Sequence, residues 1–244
     1  MENAKRAQQR LKDAGYNIEV DGDFGTESYA ALMSFIALKA PVSLLRQELG
    51  RAAAANFPGA EIDRALRVAH ALAQQCVETG GFSRLVESLN YSVAGLKATF
   101  SSARISAVDC ERLGRKQGEP ALSLDRQSQI ANIVYGGTFG RNQLGNANPG
   151  DGFKYRGRGA KQTTGLANYA AVANLTGIDV VASPEKLEDP NLGMRAACIF
   201  WTSRDCNRFA DADDIVGLTK AINGGQNGLA ERKAALLRAK MILL

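Results

Sequence analysis

Apolar positions recur at helical spacing along most of the chain. Ala7, Leu11 and Ala14 predict a first helix over residues 4–14. Gly15-Tyr16-Asn17 ends it, and Val20-Asp21-Gly22-Asp23-Phe24-Gly25 marks a tight turn. Thr26 is placed to cap a second helix, whose apolar face carries Tyr29, Leu32, Met33, Phe35 and Ile36. Pro41 makes residues 37–42 a short connection. Residues 61–77 show the clearest period, with Ile62, Leu66, Ala69, Leu72, Ala73 and Cys76 on one face. A second, polar stripe holds Asp63, Arg67, His70 and Gln74, and four more residues reach Glu78. Thr79-Gly80-Gly81 then offers a left-handed C-cap, which leaves Glu78 in the last turn. Beyond it, Leu85, Glu87 and Leu89 alternate as in a strand, and Ser92 is placed to cap a helix bearing Leu96 and Phe100. The run from Leu229 to Leu244 mixes Arg232, Lys233, Arg238 and Lys240 with Leu236, Leu237 and Ile242. A closing helix docked on the core is its ordinary reading; contact with an anionic membrane is the other.

Composition narrows the possibilities. A chain of 244 residues, 45% apolar and 23% charged, has the mass for a real core in one large or two unequal domains. No stretch approaches the roughly 20 apolar residues of a membrane-spanning helix, so no stable membrane insertion is expected. The polar start, Met1 to Gln8, leads into no apolar run, so no secretory signal and a reducing cytosol are expected. Lys and Arg number 30 against 25 Asp and Glu, a net +5 that suits acidic partners such as wall polymers or nucleic acid without selecting one. No nucleic-acid reading motif accompanies it, so nucleic acid is not expected.

One histidine, His70, excludes a His-rich zinc site, and it lies in a helical stretch without a nucleophile-elbow sequence. Cys76, Cys110, Cys198 and Cys206 form no CxxC pair and sit in apolar company, as buried free thiols do. Asp21 and Asp23 begin a calcium loop that nothing completes. Gly157-Arg158-Gly159 lacks the third glycine of a dinucleotide fingerprint. No metal and no organic cofactor is implied.

Carboxylates remain as the acid–base chemistry. At the negative end of a helix dipole the charged form of Glu78 is disfavoured, so its pKa is expected to rise, as a general acid requires. Glu87 follows nine residues later, past a two-glycine break. Glycoside hydrolysis by inversion asks for two carboxyl groups in unlike environments, roughly 6.5–9.5 Å apart. Spacing alone does not separate this from two solvated surface carboxylates.

Two resemblances add context. Gln9-x-Leu11, Ala14-Gly15-Tyr16, the Val20–Gly25 run, Thr26, Ala30-Ala31-Leu32 and Phe35 resemble the peptidoglycan-binding repeat domain of cell-wall hydrolases. That implies a wall-binding module over residues 1–40, with Asp21, Asp23 and Phe24 as its candidate site; a helical hairpin packed on the larger domain is the alternative. Residues 45–244 resemble glycoside hydrolase family 19, the chitinase-like group that includes many phage endolysins. The motifs are Ala69-His70-x-Leu72-Ala73-Gln74, Glu78-Thr79-Gly80-Gly81-Phe82, Glu87-x-Leu89-Asn90-Tyr91-Ser92 and Ala131-Asn132-x-x-Tyr135-Gly136-Gly137, then Asp151 to Gly159, Gln162-Thr163-Thr164-Gly165 and Ile222-Asn223-Gly224-Gly225-x-Asn227-Gly228.

This second resemblance implies a mainly α, lysozyme-like catalytic domain with a small β-hairpin near the cleft. It matches Glu78 to the general acid, Glu87 to the general base and Thr164 to the hydroxyl that helps hold the attacking water. Asn90, Tyr91, Tyr155, Arg156, Gln162 and Asn223 are the substrate-binding candidates. Tyr91 and Tyr155 either stack on sugars or fill the cleft wall. Arg156 and Arg158 meet peptidoglycan carboxylates, pair with the catalytic acids, or belong to a solvated basic loop. Val77 stands where the family often has His before the acid. The implied protein is a monomeric phage endolysin acting on peptidoglycan glycan strands, held in the host cytoplasm until a separate membrane-opening factor releases it. A chitinase and a non-catalytic wall binder are the alternatives.

Overall fold

The computed structural model describes residues 3–244. Its helices are α1 (Ala4–Asp13), α2 (Thr26–Ile36), α3 (Leu44–Asn56), α4 (Ala65–Glu78), α5 (Val93–Thr99), α6 (Ala107–Leu113) and α7 (Leu124–Val134). There follow α8 (Gly137–Phe139), running into a π-helical turn at Gly140–Leu144, then α9 (Asp151–Lys154) and α10 (Leu166–Thr176). The C-terminal part forms α11 (Pro190–Ser203), α12 (Cys206–Asp211), α13 (Ile215–Asn223) and α14 (Leu229–Leu243). Mainly α architecture is therefore what the sequence predicted. The expected hairpin is minimal: Val86 with Arg158 and Arg158 with Thr163 form isolated antiparallel bridges, and no longer strand occurs among the described residues.

Two compact units divide the chain. One holds residues 1–85, 159–161 and 186–244, and the other holds 86–158 and 162–185. In the first unit α2 and α11 pack on α3, while α14 packs on α4, α2 and α1. Leu11, Leu32, Ile36, Phe57, Leu72, Leu218 and Leu236 are all buried in this one core. The division between units does not fall at residues 40–45, because α1 and α2 share their core with the C-terminal helices. The second unit has its own smaller core of Leu89, Leu96, Ile105, Leu113, Ile130 and Val134.

Local signals explain most element ends. Ser43, Ser92, Ser106, Ser123, Asp189 and Asp214 each accept a backbone N–H at the start of a helix. Thr26 does not cap α2: Gly25 takes that position, and Thr26 is the first helical residue. The helix expected from residue 61 begins only at Ala65, because a 3₁₀ turn over Pro58–Ala60 is followed by Glu61 in the left-handed region, at φ 54°. Ile62 still enters the core, from the connecting segment. The C-terminal run is a docked helix, with Ala235, Leu236, Ala239, Ile242 and Leu243 buried. All four cysteines are free and buried. No helix among the described residues is long and apolar enough to cross a membrane.

The Asp-Gly turn before α2 is organised by Gln8, which is 1% exposed. Its amide donates to Asp21 Oδ1 at 2.8 Å, the Asp23 carbonyl at 2.9 Å and Ser28 Oγ at 3.1 Å, and its Oε1 accepts from Gly22 N at 2.8 Å. The Gln8 bond holds the Asp21 carboxyl below its usual range. Phe24 meets Tyr29 edge-on at 5.1 Å, inside the core. The three residues expected to form a wall-binding site thus hold the turn together. Gln8→Ala removes the bonds that hold this turn, of which only the one to Ser28 is buried, and is expected to cost about 1–2 kcal/mol in urea denaturation.

Candidate active site

In the first unit, Glu78 is the last residue of α4. The turn after it is fixed by Thr79, which is fully buried. Thr79 Oγ1 donates to the Gln75 carbonyl at 2.7 Å and accepts from Phe82 N at 2.9 Å. Gly80, Gly81 and Phe82 all have positive φ, at 59°, 76° and 57°. Left-handed backbone is easy for the two glycines and costly for a buried phenylalanine, so surrounding contacts must impose it at Phe82. Gly81 N closes the helix on the Cys76 carbonyl at 2.7 Å.

Arg232 of α14 reaches this helix end. It donates to Glu78 Oε1 at 2.6 Å, to Gln74 Oε1 at 2.5 Å and to the Asn227 carbonyl at 3.2 Å. Its side chain is 4% exposed and that of Glu78 19%. Lys161, which lies over the Phe200 ring at 3.8 Å, is a second cation acting on Glu78. Burial pushes the Lys161 pKa down, and the Glu78 carboxylate opposes that shift. Glu78 is not alone at its helix end: two cations of the same unit answer its charge. Arg232 was missed as a site residue because it was read as part of a docking helix. Its signal is a cation on the buried face of that helix, soon after the Asn227-Gly228 turn.

The polar stripe of α4 is not solvated. Arg67 grips Asp211 with bonds of 2.7 and 2.6 Å, His70 Nε2 lies 2.8 Å from Asp213 Oδ1, and Gln74 donates to Thr219 at 3.2 Å. The stripe therefore registers α4 against α12, α13 and α14. Burial pushes the His70 pKa down.

In the second unit, Glu87 is held by both backbone and side chain. Its N–H donates to the Gly157 carbonyl at 2.8 Å, and its Oε2 accepts from Gly157 N at 3.2 Å. Glu87 Oε1 accepts from the Tyr135 hydroxyl at 2.5 Å. Gly157 has no room for a side chain: a Cβ there would lie 2.9 Å from Gln162 Oε1 and 3.3 Å from Glu87 Oε2. Burial raises the Glu87 pKa, opposed by Tyr135, the Gly157 N–H, Arg156 and Arg104. A carboxylate raised in this way is a stronger base once ionised, which suits proton abstraction from water.

A support shell fixes Tyr135. Arg104 donates to the Val134 carbonyl at 2.9 and 2.7 Å and stacks over Phe100, Tyr135 and Phe139. Asn146, 4% exposed, donates to the Tyr135 carbonyl at 2.9 Å and accepts from Leu166 N at 2.9 Å. Sequence reasoning misses Tyr135, for which the available signal is a tyrosine in the Ala131–Gly137 motif of the same resemblance as Glu87. Tyr135→Phe removes a bond that lowers the Glu87 pKa. Activity that needs ionised Glu87 falls as pH drops through that pKa. The acid limb of the pH–rate profile is therefore expected to move to higher pH in the variant, with kcat reduced.

The other candidates divide. Gln162 lies beside Gly157 and Glu87, in left-handed backbone at φ 55°. Thr164 donates to the Gln162 carbonyl at 3.0 Å, so its hydroxyl is brought near that segment. Arg156 stacks on Phe153 at 4.0 Å and acts electrostatically on Glu87. Arg158 is buried and donates to the Lys154 carbonyl and to Tyr169, so it is not part of a solvated loop. Tyr155 is 4% exposed and packs on Tyr169. The Tyr91 ring packs edge-on against Phe100, and Asn90 Oδ1 accepts from Leu122 N at 2.9 Å. Asn223 is exposed at the end of α13, in the first unit.

Each unit thus carries one glutamate in a built polar environment, on a mainly helical scaffold, as in a carboxylate-based glycosidase. Comparison with known proteins gives the family. The chain is 38% identical over 172 residues to a glycosyl hydrolase family 19 domain-containing protein of Haemophilus influenzae, covering 70% of this chain and 76% of that one. It belongs to glycosyl hydrolase family 19. A shorter match, 36% identical over 64 residues, links 26% of the chain to 24% of Chitinase 8 from rice, Oryza sativa subsp. japonica. Chitinase C from Streptomyces griseus shares the fold, with a TM-score of 0.55 at 18% identity over 91% of this chain and 95% of that one. A bacterial family 19 chitinase does so at a TM-score of 0.51, with 17% identity over 88% and 93% of the two chains. No family model matches the chain.

Proposed function

We propose that this glycoside hydrolase cleaves β-1,4 bonds of bacterial peptidoglycan by single-displacement inversion, as an endolysin of a phage or prophage. The observation that carries the hydrolytic step is the buried setting of Glu87, between the Tyr135 hydroxyl and the Gly157 N–H. In the proposed reaction Glu78 gives its proton to the leaving glycosidic oxygen. Glu87, ionised, takes a proton from the water that attacks the opposite face of the sugar. Thr164, able to donate and accept at once, orients that water, and Gln162 contacts the sugar. Acid, base and water suffice for this step.

Support for peptidoglycan as the polymer comes from the wall-binding-like motif at residues 4–38 and from the net charge of +5, which favours an anionic wall. The likeness to rice Chitinase 8 favours a second reading, cleavage of N-acetylglucosamine polymers by the same carboxyl pair. Turbidity of Gram-negative cells stripped of their outer membrane is expected to fall when the protein is added. Unchanged turbidity together with release of soluble sugars from chitin would replace the first reading by the second. In the proposed setting the enzyme acts as a monomer and depends on a separate membrane-opening factor to reach the wall.

A further inference from the structure

A cavity of about 380 Å³ in the first unit combines an apolar floor with two guanidinium groups. Ala37, Cys76 and Val77 supply apolar lining, and Arg46 and Arg238 supply the charge. Arg46 is nine-tenths buried. Its terminal nitrogens donate to the carbonyls of Pro41 at 2.7 Å and Gly81 at 2.8 Å, and its Nε–H has no acceptor among the described residues. Arg238 donates its Nε–H to the Ile36 carbonyl at 2.6 Å. Neither guanidinium has a carboxylate at ion-pair distance among the described residues. Buried cations are ordinarily paired with an anion, and the terminal nitrogens of Arg46 have only carbonyl partners. The planar forks of two arginines suit a carboxylate, and the floor accepts a short alkyl group. Glu231, exposed in the first turn of α14, also lines the cavity and offers an acceptor to an amide N–H.

We propose that this cavity binds the C-terminal carboxylate of a short, alanine-ended peptide. The carboxylate lies between Arg46 and Arg238, the terminal methyl rests on Ala37 and Val77, and the preceding N–H faces Glu231. At this volume the cavity is at the small end of ligand pockets, which limits the guest to a residue or two. Because Arg46 already holds the Gly81 carbonyl, an occupant would also brace the turn that follows Glu78. The alanine end rests on the peptidoglycan reading above; the cavity is lined by Val77, Gly80 and Gly81 beside Glu78, but hydrolysis is assayed independently, so a failed binding test leaves that reading untouched.

The experiment titrates acetyl-D-alanyl-D-alanine, its C-terminal amide and inorganic phosphate into the full chain, followed by calorimetry and by the amide signals of Gly80 and Gly81. The acid is expected to bind saturably at roughly millimolar Kd or tighter and to shift both signals, and the amide is expected not to bind. Arg238→Met should weaken binding about tenfold or more by removing a charge-assisted pair. Glu231→Gln should tighten it about two- to threefold, since it removes a like charge and keeps an acceptor. These opposite signs separate the proposal from simple loss of folding. Absence of saturable binding, equal binding of the amide, tighter binding of phosphate, or no effect of either substitution would overturn it.

Discussion

With Glu78 as the proposed general acid, Glu78→Gln is expected to lower glycosidic hydrolysis by about 10²–10⁴-fold, the usual contribution of such a group, and to leave the fold in place. The amide keeps an oxygen for Arg232 to reach, so the helix end retains its hydrogen bond while losing its proton donor. A loss of about 1 kcal/mol in stability corresponds to a Tm lower by roughly 2–4 °C in a chain of this size. Circular dichroism and thermal unfolding beside the rate measurement separate the two effects. A variant that hydrolyses its substrate at the parental rate removes Glu78 from the mechanism.

Arg232→Met has its large effect on stability. The guanidinium is almost wholly buried and holds Glu78, both the carbonyl and the side chain of Gln74, and the Asn227 carbonyl. Methionine fills much of the volume and supplies none of the donors, leaving Glu78 without its closest cation. Breaking a buried pair from one side costs about 3–5 kcal/mol, which translates to a Tm lower by roughly 10 °C. Activity should fall as well, since the acid loses its orienting partner. Combining Glu78→Gln with Arg232→Met isolates the pair: the double variant is expected to be less destabilised than the sum of the singles. Strict additivity would mean that the contact carries no coupling.

Much of this architecture is legible in the sequence because the signals are local. The helix ending at Glu78 follows from a 3.6-residue period and the glycine pair after it, and Ser92 follows from capping chemistry. Long-range partners leave no such trace. Arg232 stands 154 positions after Glu78, and Tyr135 stands 48 after Glu87. The stripe of Arg67, His70 and Gln74 has the period of a solvated helix face, and only the partners on α12, α13 and α14 make it a buried seam. Thr26 was misplaced by one residue because Gly25 and Thr26 are both acceptable caps, and backbone geometry chose the glycine. The bonding inside the Asp-Gly turn leaves no local trace because Gln8, which organises it, lies in the preceding helix.

Tyr155 shows the same limit on a smaller scale. An aromatic residue in a glycine-rich, basic stretch suits sugar stacking as well as wall filling, and the stretch itself does not separate the two. The structure buries it against Tyr169. Glu87 is the reverse case. Motif order singled it out, while its electrostatic setting depends on Gly157, Tyr135 and Arg104, which the fold brings from three other segments.

The central claim, glycosidic hydrolysis of peptidoglycan by this carboxylate pair, is tested most directly at the reducing ends. Purified peptidoglycan is digested with the protein, reduced with borohydride and analysed by mass spectrometry. The account predicts soluble saccharide–peptide fragments carrying newly reduced sugar ends, present with the parental protein and absent with Glu78→Gln or Glu87→Gln. Intact glycan strands after digestion, or the same new ends with either variant, would contradict it.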